Sequence, residues 1–499
     1  MQLNNIGSRS KTALLWGIGG SIGKVASQFI VQITLARLLG PETFGQFAII
    51  LTILSLGNIL ADCGFGAGLI QKKKITSNDI SLSFGWSLLI ASFVTIIIWL
   101  IAPFLAKLFT DESLYWLITA SAFLIVPQAF GNISTNLLQR NLNMKFIQII
   151  HVFSYIVCFG GVAITLALYE WGAWSLVIGY GVQTFFKVIV TYSICRHSLR
   201  ISLKGDRQLI NFGLKALAND ILNWAIENFD KLIIGRFWGL YSLGLYSVAF
   251  NLTKAPLGLF IYTVQTITFS TASRLQDNNT ELKHGFLIII TAIALITIPF
   301  FSIIAYESTS VLQFVYGNKW ITAAPYMAAL AVSIPFMALG SITAAILRGK
   351  GEIGIELIIQ LVTVIILFVG FYNLRGWTLE VAVWIVPASF LIRLILLLLV
   401  IKNKIFFKFS DFIETFRGAL VLAALGICVT ASVSEIYQTS SPKNSIGPIL
   451  AGTFACISLL IIKFNWIIGK YLDIFLRDQK TAGLIGHTIR WLQRLKKCE

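Results

Sequence analysis

Charge is scarce in this sequence. Only 12% of its 499 residues are Asp, Glu, Lys or Arg, against 57% apolar residues and a mean hydropathy of +0.81. Soluble domains carry roughly 25% charged residues, so that class is excluded and a multispanning membrane protein is expected. Cysteine chemistry is absent too. Cys63, Cys158, Cys428 and Cys456 fall in apolar runs, Cys195 at the end of one and Cys498 in the tail, with no CxxC spacing for a metal or a disulfide framework. The four histidines (His151, His197, His284, His487) have no metal-ligand spacing, there is no Walker motif, and no polar stretch is long enough to fold as a domain. Neither a catalytic constellation, a cofactor nor a metal site is therefore expected. The net charge of +17 is spread over short connections, which argues against a nucleic-acid partner. No cleavable leader pattern stands apart from the first apolar run, so that run is expected to be retained.

What is present is a series of apolar runs. About 20 apolar residues cross a bilayer, and on that ruler the chain holds about 14 spans, from residues 12–39 to residues 446–468. The fold class expected is all-α. One set of alternate loops holds Lys72, Lys73, Lys74, Arg140, Lys145, Arg196, Arg200, Lys350 and Lys404, while the opposite set holds little beyond Lys107, Lys319, Arg375 and Lys443. That asymmetry puts both termini in the cytoplasm.

An internal repeat organises the spans. "ARLLGPETFGQFA" (36–48) aligns without gaps on "GRFWGLYSLGLYS" (235–247), with Arg37 on Arg236, Gly40 on Gly239 and Gly45 on Gly244, each pair 199 residues apart. A weaker echo relates "PQAFGNISTNLLQR" to "PFMALGSITAAILRG". The expectation is two six-helix lobes in a parallel repeat (1–208 and 209–408), two added helices (409–469) and a basic amphipathic tail (470–499). Carriers of this build hold substrate between the halves near the midplane.

Polar stripes interrupt the apolar runs. Ser21, Lys24, Gln28 and Gln32 share one face of the first span, and the repeat carries them onto Asp220, Asn223, Glu227 and Lys231 in the seventh. A lysine at mid-span costs about 2.5–3.5 kcal/mol on insertion scales, and such residues face a wet cavity or a partner. Candidate cavity residues are Lys24, Gln28, Gln32, Asn223, Asn228, Asn251, Lys254 and Arg393. Two readings stay open for the acids Asp62, Asp220, Glu227 and Asp230: they neutralise nearby lysines, or they couple transport to protons or sodium. Arg37 and Arg236 read more simply as turn or interface residues, and Lys187, Glu356, Glu380 and Arg393 are balanced between structural pairing and function. The glycines at 17, 19, 20 and 23 read as packing or a hinge.

The segments "NFDKLIIGRFWGLYSLGLYSVAFNL" (228–252), "ARLLGPETFGQFAI" (36–49), "LLQRNLNMKF" (137–146) and "VYGNKW" (315–320) resemble the polysaccharide flippases. These are exporters of O-antigen, colanic-acid-like capsule and exopolysaccharide units, within the multidrug, oligosaccharidyl-lipid and polysaccharide exporter superfamily. The resemblance implies a two-lobed, alternating-access carrier in a bacterial inner membrane. Its substrate would be an oligosaccharide on polyprenyl diphosphate, drawn from among membrane lipids and passed to polymerase and chain-length machinery. Related lipid II flippases use a cationic central cavity, and Lys24 and Lys254 occupy plausible positions for that role. The competing expectations are a multidrug cation exporter of the same superfamily, whose cavity should be acidic and aromatic, a membrane polymerase or ligase, which should carry a long external loop, and a non-transporting scaffold.

Overall fold

A computed structural model describes residues 2–72, 75–202, 207–406, 409–440 and 447–462. The expected basic tail at 470–499 lies outside them, as do Lys73, Lys74 and Lys443. Among the described residues every regular element is helical, the form that satisfies backbone polar groups inside hydrocarbon. Hydroxyls are hidden in the same way: Ser83 donates to the Asp79 carbonyl at 2.9 Å, Thr291 to Leu287 at 2.6 Å and Thr430 to Gly426 at 2.7 Å, each one turn back along its own helix.

The chain packs as two compact units, Met1–Leu259 with Val315–Met327 and Gln360–Val386, and Phe260–Phe314 with Ala328–Ile359 and Pro387–Glu499. The first unit holds α1 (Gln2–Leu38), α2 (Pro41–Asp62), α3 (Phe65–Gln71), α4 (Ser77–Leu108), α5 (Ser113–Ala122), α6 (Ile125–Arg140) and α7 (Met144–Phe153). A π-helix (Ser154–Gly161) joins α7 to α8 (Val162–Leu168), followed by α9 (Ala173–Ile194), α10 (Arg207–Phe237) and the first part of α11 (Gly239–Arg274).

Local chemistry explains the breaks. The apolar stretch at 45–70 forms two helices because Cys63 and Gly64 both take left-handed φ (49° and 69°), which ends α2 and restarts the chain as α3. The span at 114–138 is interrupted just before Pro127, which has no N–H to continue the ladder. α4 starts on a capping box, with Thr76 accepting from the Asp79 N–H at 3.2 Å, Asp79 accepting from the Thr76 N–H at 2.9 Å, and Lys72 joining Asp79 at 2.8 Å.

The second unit contains α12 (Asn279–Tyr306), α13 (Ser308–Tyr316) up to Phe314, and most of α14 (Ala324–Gly349), α15 (Ile353–Asn373) up to Ile359, and α17 (Ile385–Ile405) from Pro387. It ends in α18 (Phe409–Ser440) and α19 (Gly447–Ile462), where the Cys456 thiol reaches the Leu422 carbonyl at 3.3 Å. The short α16 (Leu379–Ala382) belongs to the first unit. Within the second unit Glu356, 2% exposed, meets the Arg348 guanidinium at 3.5 Å and also feels Arg393.

Ten helical stretches among the described residues are long and apolar enough to cross a membrane. Three further helices, α1, α10 and α11, have 37, 31 and 36 residues, which is length to spare for a bilayer. They are the helices that carry the polar stripes. With the shorter α19, these helices are compatible with the expected total of about 14.

Candidate functional site

The repeated segment builds one end of the first unit. The first turns of α2 and α11 cross so closely that a Cβ at Gly45 would overlap the Leu240 carbonyl, and a Cβ at Gly244 would overlap the Pro41 carbonyl. Gly45 and Gly244 are repeat equivalents, and so are Pro41 and Leu240, so the contact is reciprocal. Glycine is required at both positions because any side chain would drive the two helix starts apart. Trp320 of the "VYGNKW" segment seals the same end. It is fully buried, donates its indole N–H to the Ala36 carbonyl at 2.9 Å and meets Phe44 edge-on at 5.4 Å, while Arg37 donates to the Val315 carbonyl at 3.2 Å.

Within this unit lies a cavity of about 550 Å³. α1 contributes Lys24, Gln28 and Gln32, the face anticipated from helical spacing; α7 contributes His151, α9 contributes Gln183 and Lys187, and α11 contributes Asn251 and Lys254. Phe47, Tyr155, Phe159 and Tyr180 supply an aromatic lining, with Phe47 stacked on Phe159 at 6.2 Å and Tyr155 against Phe159 at 5.0 Å. The Tyr180 hydroxyl is fixed by the Gln128 amide at 2.9 Å. The π-helix turns Tyr155 and Phe159 inward; such wide turns are enriched at functional sites.

The cations of the cavity are not equivalent. Lys254 forms an ion pair with Glu227 at 2.8 Å and lies 5.3 Å from the centre of the Phe250 ring. Lys24, His151 and Lys187 have no hydrogen-bond or ion-pair partner among the described residues, yet His151 feels both lysines and Lys187 feels Lys24. Among the described residues no carboxylate lines the cavity, Glu227 reaching it only through Lys254. Three nitrogenous bases from three helices thus meet in the one cavity.

Of the residues singled out from sequence, Lys24, Gln28, Gln32, Asn251 and Lys254 line the cavity. The stripe of α10 is occupied elsewhere. Asn223 accepts from the Gln360 amide at 3.1 Å, and Asn228 donates to the Trp224 carbonyl at 3.1 Å while accepting from Lys231 at 2.9 Å. Asp230 is buried and accepts from the Tyr246 hydroxyl and from the Lys231 N–H at 2.7 Å. Asp220 pairs with the Asn219 amide at 3.4 Å, and Asp62 accepts from the Gly66 N–H at 3.3 Å and from Asn136. Arg393 stands beside Glu356 in the second unit. His151 and Lys187 were not among the residues chosen from sequence for the cavity. Lys187 had carried a signal, as a charge in the sixth apolar run. His151 had little, since an isolated histidine gains meaning only beside Lys24 and Lys187.

Long helices, three of them with polar faces, around a charged cavity define a membrane carrier, a class built to move solute rather than to transform it. The chain belongs to the polysaccharide biosynthesis protein family, whose model matches residues 34–325. It is similar to the teichuronic acid biosynthesis protein TuaB of Bacillus subtilis (strain 168), 24% identical over 81% of this chain and 85% of that protein. It is also similar to the lipopolysaccharide biosynthesis protein WzxC of Escherichia coli (strain K12), 23% identical over 66% and 67%. Its fold is similar to that of the lipid II flippase MurJ in an inward closed conformation, with a TM-score of 0.72 and 14% identity over 93% of this chain and 99% of that one.

Proposed function

We propose that this protein flips a polyprenyl-diphosphate-linked oligosaccharide across the bacterial inner membrane by alternating access between two repeat-related lobes, 1–208 and 209–408, with both termini in the cytoplasm. The observation that carries the reading is the group of Lys24, His151 and Lys187, which have no partner among the described residues. A diphosphate diester holds two negative charges, and two lysines match them. Charge-assisted hydrogen bonds offset the desolvation of that group, the part of the lipid that bilayer transfer most opposes. The amides of Gln28, Gln32, Gln183 and Asn251 suit sugar hydroxyls, and the aromatic lining suits their apolar faces. The names of the relatives, teichuronic acid and lipopolysaccharide biosynthesis proteins, agree with this chemistry.

Asp220, Glu227 and Asp230 remain the candidates for proton or sodium coupling, with Asp62 beside them. Glu227 is the best placed, because a diphosphate approaching Lys254 would compete for its partner. The reciprocal glycine crossing of α2 and α11 serves as the gate at its end of the cavity. Polymerase and chain-length machinery would take the flipped lipid onward. A multidrug cation exporter fits less well, since its cargo would meet bases and, among the described lining residues, no carboxylate.

The test is transport by purified protein in proteoliposomes, comparing a labelled polyprenyl-diphosphate oligosaccharide with a fluorescent organic cation. Movement of the lipid and exclusion of the cation are expected. Movement of the cation alone would overturn the reading.

A further inference from the structure

A second concavity lies back to back with the cavity. About 670 Å³ in volume, it is lined by Trp16, Gly19, Gly20 and Gly23 of α1, by Gln148, Ile149, Val152 and Phe153 of α7, and by Ile156 and Val157 of the π-helix. Its surface is apolar, and several of its side chains are exposed, including Ile149 at 46%, Phe153 at 48% and Val157 at 49%. In a membrane protein such exposure faces hydrocarbon.

The two concavities share their wall. Gly23 faces the groove and the next residue, Lys24, faces the cavity; Val152 faces the groove and His151 the cavity; Ile156 faces the groove and Tyr155 the cavity. That wall is one helix pair thick. Gly20 lies directly against the Gln148 side chain, and Gly23 is in ordinary contact distance of Val152, at 3.6 Å from a Cβ built there. One side of the seam is a glycine-rich helix that bends cheaply, and the other continues into a π-helix, a local widening that α-helices adopt at functional sites. Both sides are of the kind that deform.

We infer that this groove holds the polyprenyl chain of the transported lipid, with its charged end reaching Lys24 and His151 through the α1–α7 seam. The inference rests on the flippase reading above. The occupant follows from continuity: cationic and polar on one face of a thin wall and apolar on the other matches an amphiphile whose diphosphate and hydrocarbon are joined by one bond. A bilayer phospholipid offers the bases behind the seam one phosphate charge, where the diphosphate offers two.

Gly19 provides the test, because a Cβ there meets nothing within 4 Å, so Gly19→Ala is accommodated freely and Gly19→Leu extends a larger side chain into the groove. Binding is measured for the full-length polyprenyl-diphosphate oligosaccharide and for an analogue with a two-isoprene chain. The wild type is expected to prefer the long chain; Gly19→Leu should lose about tenfold in affinity for it, Gly19→Ala far less, and neither should alter binding of the short analogue. Equal loss for both ligands, or for neither, overturns the groove assignment while leaving the flippase reading intact. Binding of neither ligand by the wild type overturns the flippase reading itself. A photo-crosslinker at Ile149 gives a second readout: labelling should be displaced by the polyprenyl-diphosphate lipid and resist phosphatidylglycerol. Equal displacement by both would identify the occupant as ordinary bilayer lipid and overturn the inference.

Discussion

Two sets of intramembrane charges in the first unit differ in one respect. On α1, α7 and α9, Lys24, His151 and Lys187 face a cavity with no partner among the described residues, whereas on α10 and α11 the charges are spent on one another, Glu227 on Lys254 and Asp230 on Tyr246 and Lys231. A charged residue in an apolar span is thus ambiguous until its partner is known. A paired set holds the helices together, and an unpaired set is held ready for something that arrives.

The sharpest way to break this contrast is to remove the unpaired set. Lys24→Ala with Lys187→Ala should lower flipping in proteoliposomes by about 100-fold or more, since hydrogen bonds to charged groups contribute roughly 1.5–3 kcal/mol each. A loss below about tenfold would mean that this set does not bind the anion. Next in size is the glycine crossing. Gly244→Val would push apart the starts of α2 and α11, at an overpacking cost of about 1–3 kcal/mol that shifts the gate equilibrium about fivefold or more. The measure is modification of a single cysteine at Gln32, in a cysteine-free background, by a membrane-impermeant thiol reagent. Unchanged reactivity would show that the crossing is not a gate.

The paired set should respond in stability before transport. Tyr246→Phe removes a donor from buried Asp230 and should cost roughly 1.5–3 kcal/mol, seen as a lower Tm in detergent; an unchanged Tm would mean that the carboxylate is satisfied without it. The smallest effect is expected at Asp111, in the loop between α4 and α5. Partial burial pushes its carboxyl up, but hydrogen bonds from Ser113 and Gln46 outweigh this and hold it below the usual range. Because the folded pKa is depressed, its contribution is present above the unfolded value near 3.9 and fades as pH falls through the folded value. Asp111→Asn should therefore flatten the fall in Tm below about pH 4, and parallel melting curves for mutant and wild type would contradict the assignment.

Much of this was legible in the chain. The apolar runs gave the helical membrane class, the 199-residue offset gave the pairing of Gly45 with Gly244, and helical spacing put Lys24, Gln28 and Gln32 on one face. Partnership was not legible. Lys254 and Glu227 are 27 residues apart on different helices, so neutralisation appears only when α10 meets α11. His151 and Lys187 likewise gain significance from Lys24, more than 120 residues earlier, through packing that spacing along one helix cannot report. The break at Cys63 and Gly64 was missed because a left-handed turn inside an apolar run leaves the hydrophobic pattern undisturbed.

The most direct test of the difference between the two sets is a side-by-side flipping assay of Lys187→Ala and Lys254→Ala with the same labelled polyprenyl-diphosphate oligosaccharide. The unpaired Lys187 should matter more, with a loss of about 10- to 100-fold, while Lys254→Ala, whose positive charge is already balanced by Glu227, should lose several-fold at most. Equal losses, or a greater loss at Lys254, would contradict the account and move the anion site to α11.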